Sequence, residues 1–217
     1  MLWDTAVMVG CATIGSDGEG GTVSDMLFDD TTWRVRWIVV NTRHWSPHRE
    51  VLLPVSVLGR PDPLHRRLAI ALAVRQIEDS PTVEKHLPVS RRSTSSRRDD
   101  PHLRSVEAIV GHRVHLRDAV IGHVEDLLVD DVDWSIRYVR VDTCKWHPGD
   151  RVLLAPRLVR EISWRGRRVR LDVSREELEA DRAQRDVKWL RGQNDETHSA
   201  NRPPDQAQTG LSTARRG

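Results

Sequence analysis

The chain has 217 residues, of which 30% are charged, and its formal net charge is only +2. This balance disfavours a protein that binds nucleic acid through bulk charge. The sequence has no basic stretch followed by an apolar run at its start, and no stretch reaches roughly 18 consecutive apolar residues, so we expect no signal peptide and no membrane span. The two cysteines, Cys11 and Cys144, do not suggest a disulfide framework, which indicates a reducing compartment and a cytoplasmic protein.

The chain contains two copies of one pattern. Residues 21–57 align with residues 122–158 at a constant offset of 101 and without a gap. Two units about 100 residues apart are too long and too few for a solenoid, so we interpret them as a duplicated domain. The sequence predicts a first domain over 1–81, a flexible basic linker over 82–102, a second domain over 103–185 and a disordered tail over 186–217.

In the first domain, runs rich in β-branched residues flank the acidic turn 29–32, whose Asp side chains can bond backbone amides. Residues 67–72 then alternate between apolar side chains and charged or small ones, as in a strand with one face in water. The linker that follows lacks apolar periodicity, so we expect it to be flexible. Its basic residues, which stand among serines and threonines, are Arg91, Arg92, Arg97 and Arg98.

In the second domain, four short stretches rich in β-branched residues predict strands over 110–116, 121–130, 136–142 and 151–154. The acidic turn 130–133 joins two of them as a hairpin. Residues 168–173 repeat the alternation seen in the first domain. Ser174, followed three residues later by Glu177, forms a capping box and predicts a short helix over 175–185.

Short strands of this kind must bury their edges or close on themselves. The predicted fold is therefore all-β with minor helix, built from two tandem small antiparallel β-barrels, each followed by a short helix. Each unit is small for a self-sufficient core. We therefore expect the two barrels to pack against each other within the chain, or the chain to form a homodimer.

The second domain carries a longer pattern. Its stretches are DAVIGHVEDLLVDD at 118–131, WSIRY at 134–138, VDT at 141–143, WHPG at 146–149, VLL at 152–154 and VRLDVSRE at 169–176. This pattern resembles the PRC-barrel family, strongly over 106–180 and in a worn form over 5–81. That family is a small β-barrel found in the cytoplasmic part of the photosynthetic reaction centre H subunit and in the C-terminal half of a ribosome maturation factor. The resemblance implies two tandem barrels of the PRC type.

Aromatic residues recur at equivalent positions of the two domains. Trp134, Arg137 and Tyr138 begin a strand of the second domain, and Trp33 and Arg36 stand at the equivalent places of the first. Aromatic side chains beside an arginine are favoured at protein interfaces. We interpret these residues as a candidate surface for a protein partner.

The alternative is that the tryptophans fill the core while Arg137 pairs with an acidic group, Asp126 or Asp142. Trp45 and Trp146 are a second repeat-equivalent pair. We expect each of them to cover one end of a barrel, and we include both in the candidate partner surface.

The remaining reactive residues lack the spacing of a catalytic or metal site. The acidic cluster 125–133 lacks the glycine and closing Glu of a calcium loop, and a hairpin turn accounts for it. His44 and His48 flank Pro47, which favours a loop over a metal-binding helix. Cys144 has a lysine neighbour but no base at a suitable spacing. We therefore expect no catalytic residue, no metal and no cofactor.

These observations favour a non-enzymatic scaffold protein that docks on a protein partner through the faces of its barrels. The alternative is an RNA- or ribosome-associated assembly factor. It would use Arg91, Arg92, Arg97 and Arg98 as anionic contacts, although no aromatic residues join them for stacking. A third hypothesis, an accessory of photosynthetic reaction-centre electron transfer, rests on family analogy.

Overall fold

The computed structural model describes residues 1–42, 49–83, 100–143, 150–180 and 187–190. Within these ranges the chain is mostly β-strand with short helices, as the alternating sequence predicts. No helix in the described ranges is both long and apolar enough to cross a bilayer. Several residues discussed above lie outside these ranges: His44, Trp45, His48, Arg91, Arg92, Arg97, Arg98, Cys144 and Trp146.

The two halves of the chain repeat the same succession of elements. In the first half these are β1 (Leu2–Asp4), α1 (Thr5–Met8), β2 (Ala12–Ile14), β3 (Glu19–Asp29), β4 (Arg34–Asn41), β5 (Glu50–Pro54), β6 (Leu58–Asp62), β7 (Arg67–Ile70) and α2 (Val74–Glu78). In the second half they are β8 (Leu103–Ser105), α3 (Val106–Ile109), β9 (Arg113–His115), β10 (Val120–Asp130), β11 (Ile136–Asp142), β12 (Arg151–Leu154), β13 (Val159–Ser163), β14 (Arg168–Leu171), α4 (Arg175–Ala180) and β15 (Val187–Leu190).

The capping box predicted at the start of α4 is present. The backbone N–H of Ser174 donates to Glu177 Oε2 at 2.7 Å, and the backbone N–H of Glu177 donates to Ser174 Oγ at 3.2 Å. These reciprocal bonds satisfy amides that the start of a helix leaves without partners. The described helix is the first part of the predicted range 175–185.

Each half builds a sheet with the same strand order. The first sheet runs β5-β4-β3-β2-β7-β6, and the second runs β13-β14-β9-β10-β11-β12, with β15 beyond β12. Most neighbouring strands are antiparallel, but β2 and β7 are parallel, and so are β9 and β14. The wholly antiparallel arrangement expected from the sequence is wrong for these two pairs. The long connection between their members brings the chain back in the same direction.

The two sheets do not close into the predicted barrels. In the described part of the chain, no ladder joins β5 to β6 or β12 to β13. Residues that follow the helices occupy the outer edges of β5 and β12 instead: Val51 bridges to Thr82, and β12 pairs with β15. A strand edge that already has a partner cannot form a second ladder on that side, so both sheets stay open.

Two of these edge segments fall where the sequence predicted no structure. Strand β15 lies inside the predicted disordered tail 186–217, and its Val187 is 1% exposed. Val83, which the linker prediction included, is 4% exposed. Burial of apolar side chains favours an ordered segment at each of these two sheet edges, and β15 adds a four-residue ladder with β12.

The first strand of each half pairs with the sheet of the other half. β1 runs antiparallel to the C-terminal end of β10, and β8 runs antiparallel to the same end of β3. Helices α1 and α3 cross over with these strands and pack on β10 and β3. A division of the chain at the predicted domain limits, 1–81 and 103–185, would therefore remove β8 from the first sheet and β1 from the second.

The hairpin tips of the two sheets meet at the centre of the pair. The backbone N–H of Val35 donates to Trp134 O at 2.8 Å, and that of Ile136 donates to Trp33 O at 2.7 Å. These residues are equivalent in the repeat, so an approximate twofold relates the two bonds. Both tryptophans have left-handed backbone, with φ of 53° and 57°. That conformation costs an L-residue about 1–2 kcal/mol, and the paired bonds offset the cost.

One hydrophobic core spans both halves. It includes Met8 and Phe28 from the first half and Ile109 and Leu127 from the second, and each is 1% exposed or less. Full burial of such a side chain contributes about 1.5–3 kcal/mol. Because the core is shared, two units that are each small can be stable together.

Cleavage of the backbone within the linker, at a protease site placed between Ser90 and Arg91, is expected to leave the two halves bound to each other. Each half supplies a strand, a helix and core side chains to the other, so the cut removes no contact described above. Size-exclusion chromatography with light scattering checks this. Separate elution of the two fragments in native buffer contradicts the exchanged arrangement.

Candidate functional site

The repeat-equivalent tryptophans lie between the two halves. Trp134 is only 7% exposed, and it belongs to the shared core. Trp33 stacks on Phe28 with ring centroids 5.4 Å apart. These side chains fill the junction, as the core interpretation of the sequence expects, and Trp134 is not available to an outside partner.

Arg137 is exposed but pairs within its own hairpin. Its Nη2 lies 3.1 Å from a carboxylate oxygen of Asp130 and 3.1 Å from one of Asp133. The sequence predicted an acidic partner and named Asp126 or Asp142. The turn residues are closer because Arg137 stands at a register shift of the β10–β11 hairpin, next to the tip.

The other two described members of the candidate surface also have partners. Arg36 forms ion pairs with Asp29 and Asp100. Tyr138 is half-buried, and the Lys188 Nζ lies 4.8 Å from its ring centroid. In this part of the chain, the candidate surface is largely engaged in contacts within the molecule.

Two buried carboxylates accept hydrogen bonds from the exchanged helices. The sequence patterns did not predict this structural role. Asp25 is 1% exposed and accepts hydrogen bonds from Ser105 Oγ at 2.6 Å, from the Glu107 backbone N–H at 2.9 Å and from the Met26 backbone N–H at 2.7 Å. A register shift in β3 lies just before it. Such a bulge re-aims a side chain, and here it coincides with a carboxylate that reaches the other half.

Asp126, the equivalent residue of the second half, accepts hydrogen bonds from the first half. It accepts a hydrogen bond from the Thr5 hydroxyl, two long ones from the Ala6 backbone N–H at 3.3 Å and one from the Leu127 backbone N–H at 2.7 Å. The Arg140 Nη2 adds a contact at 3.2 Å. Burial raises the pKa of Asp126 despite these donors, and it does the same for Asp25. Each acid takes a hydroxyl and a backbone N–H from the exchanged segment in addition to the donors of its own half, so both groups hold the two halves together. The signal in the sequence was an acidic residue at the same place in both copies.

A second polar group lies under the β13–β14 turn and is not repeated. His112 is 2% exposed, its ring meets Trp164 edge to face at 5.1 Å, and Arg104 lies 5.7 Å from the Trp164 ring centroid. Neither ring nitrogen of His112 has a hydrogen-bond partner among the described residues. Burial, together with the charge of Arg167, lowers the pKa of His112 to about 4. The imidazole is therefore neutral at pH 7.

Three arginines line the solvent side of strands β9 and β14. In this parallel pair Arg168 lies opposite Arg113, and Arg170 lies opposite His115. All three arginines are exposed. Burial, and then Arg168, Arg113 and Arg170 in that order, lower the pKa of His115. We call Arg113, Arg168 and Arg170 the arginine face.

The positive charge of the arginine face is largely uncompensated. Arg170 has Glu161 at 3.6 Å, with both side chains more than half exposed. Arg113 and Arg168 have no carboxylate partner in the described ranges, and neither have Arg165 and Arg167 in the adjoining turn. Such unpaired guanidinium groups can bind carboxylates or phosphates.

The first half does not repeat the arginine face. The residues equivalent to Arg113 and Arg170 are Ala12 and Ala69, and only Arg67 keeps its charge. The alternation at 168–173 placed two of these arginines on the water side, but their proximity to Arg113 depends on the parallel pairing, which the sequence analysis did not predict.

Replacement of Asp25 by alanine is expected to lower the free energy of unfolding by about 2–4 kcal/mol. The change leaves a buried hydroxyl and two backbone N–H groups without an acceptor. Urea unfolding measures the effect. With Ser105→Ala as the second arm of a double-mutant cycle, the combined loss should be smaller than the sum of the single losses. Additive losses contradict the contact.

Between pH 7 and pH 4, the free energy of unfolding of the native chain is expected to fall by about 3 kcal/mol more than that of the His112→Cys variant. The unfolded imidazole binds a proton near pH 6.5, whereas the folded one stays neutral down to about pH 4. The unfolded state therefore gains protons first as the pH drops. Cysteine is the residue at the equivalent position 11, so it suits this fold. Parallel stability curves for the two proteins contradict the burial of a neutral imidazole.

A scan of protein-family models finds no match to this chain, and a search of curated proteins finds none either. The resemblance to the PRC-barrel family accordingly stands on the stretches of sequence quoted above. The features that the geometry adds are the exchanged segments with their buried carboxylates, the neutral His112 and the arginine face. Only the last of these faces solvent.

Proposed function

We propose that the chain is a non-enzymatic scaffold protein, in which two PRC-type units form one body that docks on a protein partner. The observation that carries the proposal is the arginine face, because it is an exposed charged surface with few partners of its own. The proposed docking surface is therefore a sheet face of the second half, in place of the aromatic residues at the hairpin tips.

The comparison of the two halves supports this assignment. The groups that both halves keep, Asp25 with Asp126 and Trp33 with Trp134, join the halves to each other. The arginine face occurs in one half alone. The joining of the two halves therefore does not require the arginine face, which leaves it available to a partner outside the chain.

The charges on the arginine face also favour binding of an anionic partner. Like charges that lie directly opposite on neighbouring strands destabilise a sheet, as with Arg113 and Arg168. Binding of an anionic partner reduces that repulsion between the arginines and adds an attraction between opposite charges. Both effects favour the complex. Charge complementarity of this kind mainly raises the association rate and the specificity.

The second candidate is an RNA- or ribosome-associated factor. The same arginines favour it, since guanidinium groups bind phosphate as well as carboxylate. The linker arginines named for this role lie outside the described residues. An accessory role in photosynthetic electron transfer rests on the family resemblance alone.

Purification of the tagged full-length protein from its native host, in three versions, tests the docking surface. The versions are the native chain, a face variant with Arg113→Gln, Arg168→Gln and Arg170→Gln, and a control with Arg60→Gln, Arg67→Gln and Arg75→Gln. The control removes the same charge from exposed positions of the first half. We expect a protein partner that the face variant loses and the control retains. An identical set of bound proteins in all three versions overturns the proposal.

A further inference from the structure

Resting on the proposed docking function, we infer that the partner binds the arginine face through a short extended acidic segment, with carboxylates at alternate positions. Three features of the arginine face support this chemistry: the spacing of the arginines, the limited extent of their charge and the side chains around them.

The spacing of the arginines matches an extended chain. Arg168 and Arg170 are two residues apart on β14 and both are exposed, so their Cα atoms are separated by about 6.5–7 Å. Acidic residues at positions i and i+2 of an extended segment have the same separation. Arg113, opposite Arg168, supplies a third guanidinium at the same end. Each can hold a carboxylate with two parallel hydrogen bonds.

The uncompensated charge covers a small area. Just after the end of β14, Asp172 pairs with Arg160 at 3.5 Å. Arg117, which follows β9, forms an ion pair with Glu177. At this end the cationic excess therefore stops at Arg170, and at the other end it continues into the turn at Arg165 and Arg167. The arginine face itself needs two or three carboxylates, because Arg170 is partly paired with Glu161, whereas proteins that hold duplex DNA neutralise roughly 6–10 phosphates.

The side chains of the arginine face also favour a peptide over single-stranded nucleic acid. The described residues of β9 and β14 that face solvent are arginines and one histidine, His115, with no Trp, Tyr or Phe among them. Recognition of single strands commonly uses aromatic rings on which bases stack. Clusters of arginine without such rings are typical of sites for acidic or phosphorylated segments.

Fluorescence anisotropy with labelled heptapeptides and the full-length protein tests the inference. The first peptide alternates Glu with Thr, the second has the same composition rearranged so that no two Glu residues stand two positions apart, and the third replaces every Glu by Gln. A labelled oligouridylate of the same length is the nucleic-acid probe. We expect the alternating peptide to bind most tightly at low salt, with an affinity that falls as salt is added.

Charge reversal in the protein locates the binding. Arg168→Glu with Arg170→Glu should weaken the alternating peptide roughly tenfold or more, because two exposed charge contacts become repulsive. The control pair, Arg67→Glu with Arg75→Glu, should leave the affinity unchanged. Circular dichroism and thermal unfolding verify that both variants keep the fold.

The outcomes separate this inference from the proposed function. Tighter binding of oligouridylate, lost on the same charge reversal, overturns the acidic segment and leaves the arginine face as a docking surface for RNA. Equal affinity for the alternating peptide and its rearranged control overturns the extended register. Peptide binding at the arginine face, together with native partners that ignore the face variant, supports the site and overturns the proposed function.

Discussion

Asp25 and Asp126 each accept hydrogen bonds from the first helix of the other half, at positions that are 1% exposed. A carboxylate at such a place is stable only when donors surround it, since its hydration is lost. The donors here include a hydroxyl and a backbone N–H from the opposite half. Each acid is thus satisfied only when the segment from across is in place. We therefore expect the exchange of strands, the sharing of the core and the burial of the acids to occur together.

The contacts between the halves have the character of an interface between identical subunits. In an isologous interface, residue i of one subunit meets residue j of the other, and the reverse contact also occurs. The Val35–Trp134 and Ile136–Trp33 bonds are such a pair, and so are the contacts of Asp25 and Asp126. The chain has the organisation of a dimer whose two subunits have become covalently joined.

The β-rich fold, the hairpin at 130–133 and the capping box at Ser174 follow from local patterns, so the sequence sufficed to predict them. The exchange of β1 and β8 between the two sheets does not follow from local patterns. Because the two copies carry similar residues, β1 would meet much the same neighbours on β3 as it meets on β10. Local preferences are nearly equal for the two arrangements, and only the packing of the whole molecule chooses between them. The arginine face escaped prediction for a related reason, since Arg113 joins Arg168 across more than 50 positions of sequence through a parallel pair.

The covalent joining of the two halves has a further consequence for the arginine face. In a dimer of identical subunits every substitution appears twice, so a charged sheet face would be displayed on both sides and could bridge two partners. In a fused chain the same substitution appears once. The arginine face therefore occurs once per chain, and the proposed docking function predicts one bound partner per chain. The first half, with Ala12 and Ala69 at two of the three equivalent positions, does not display this cluster of charge.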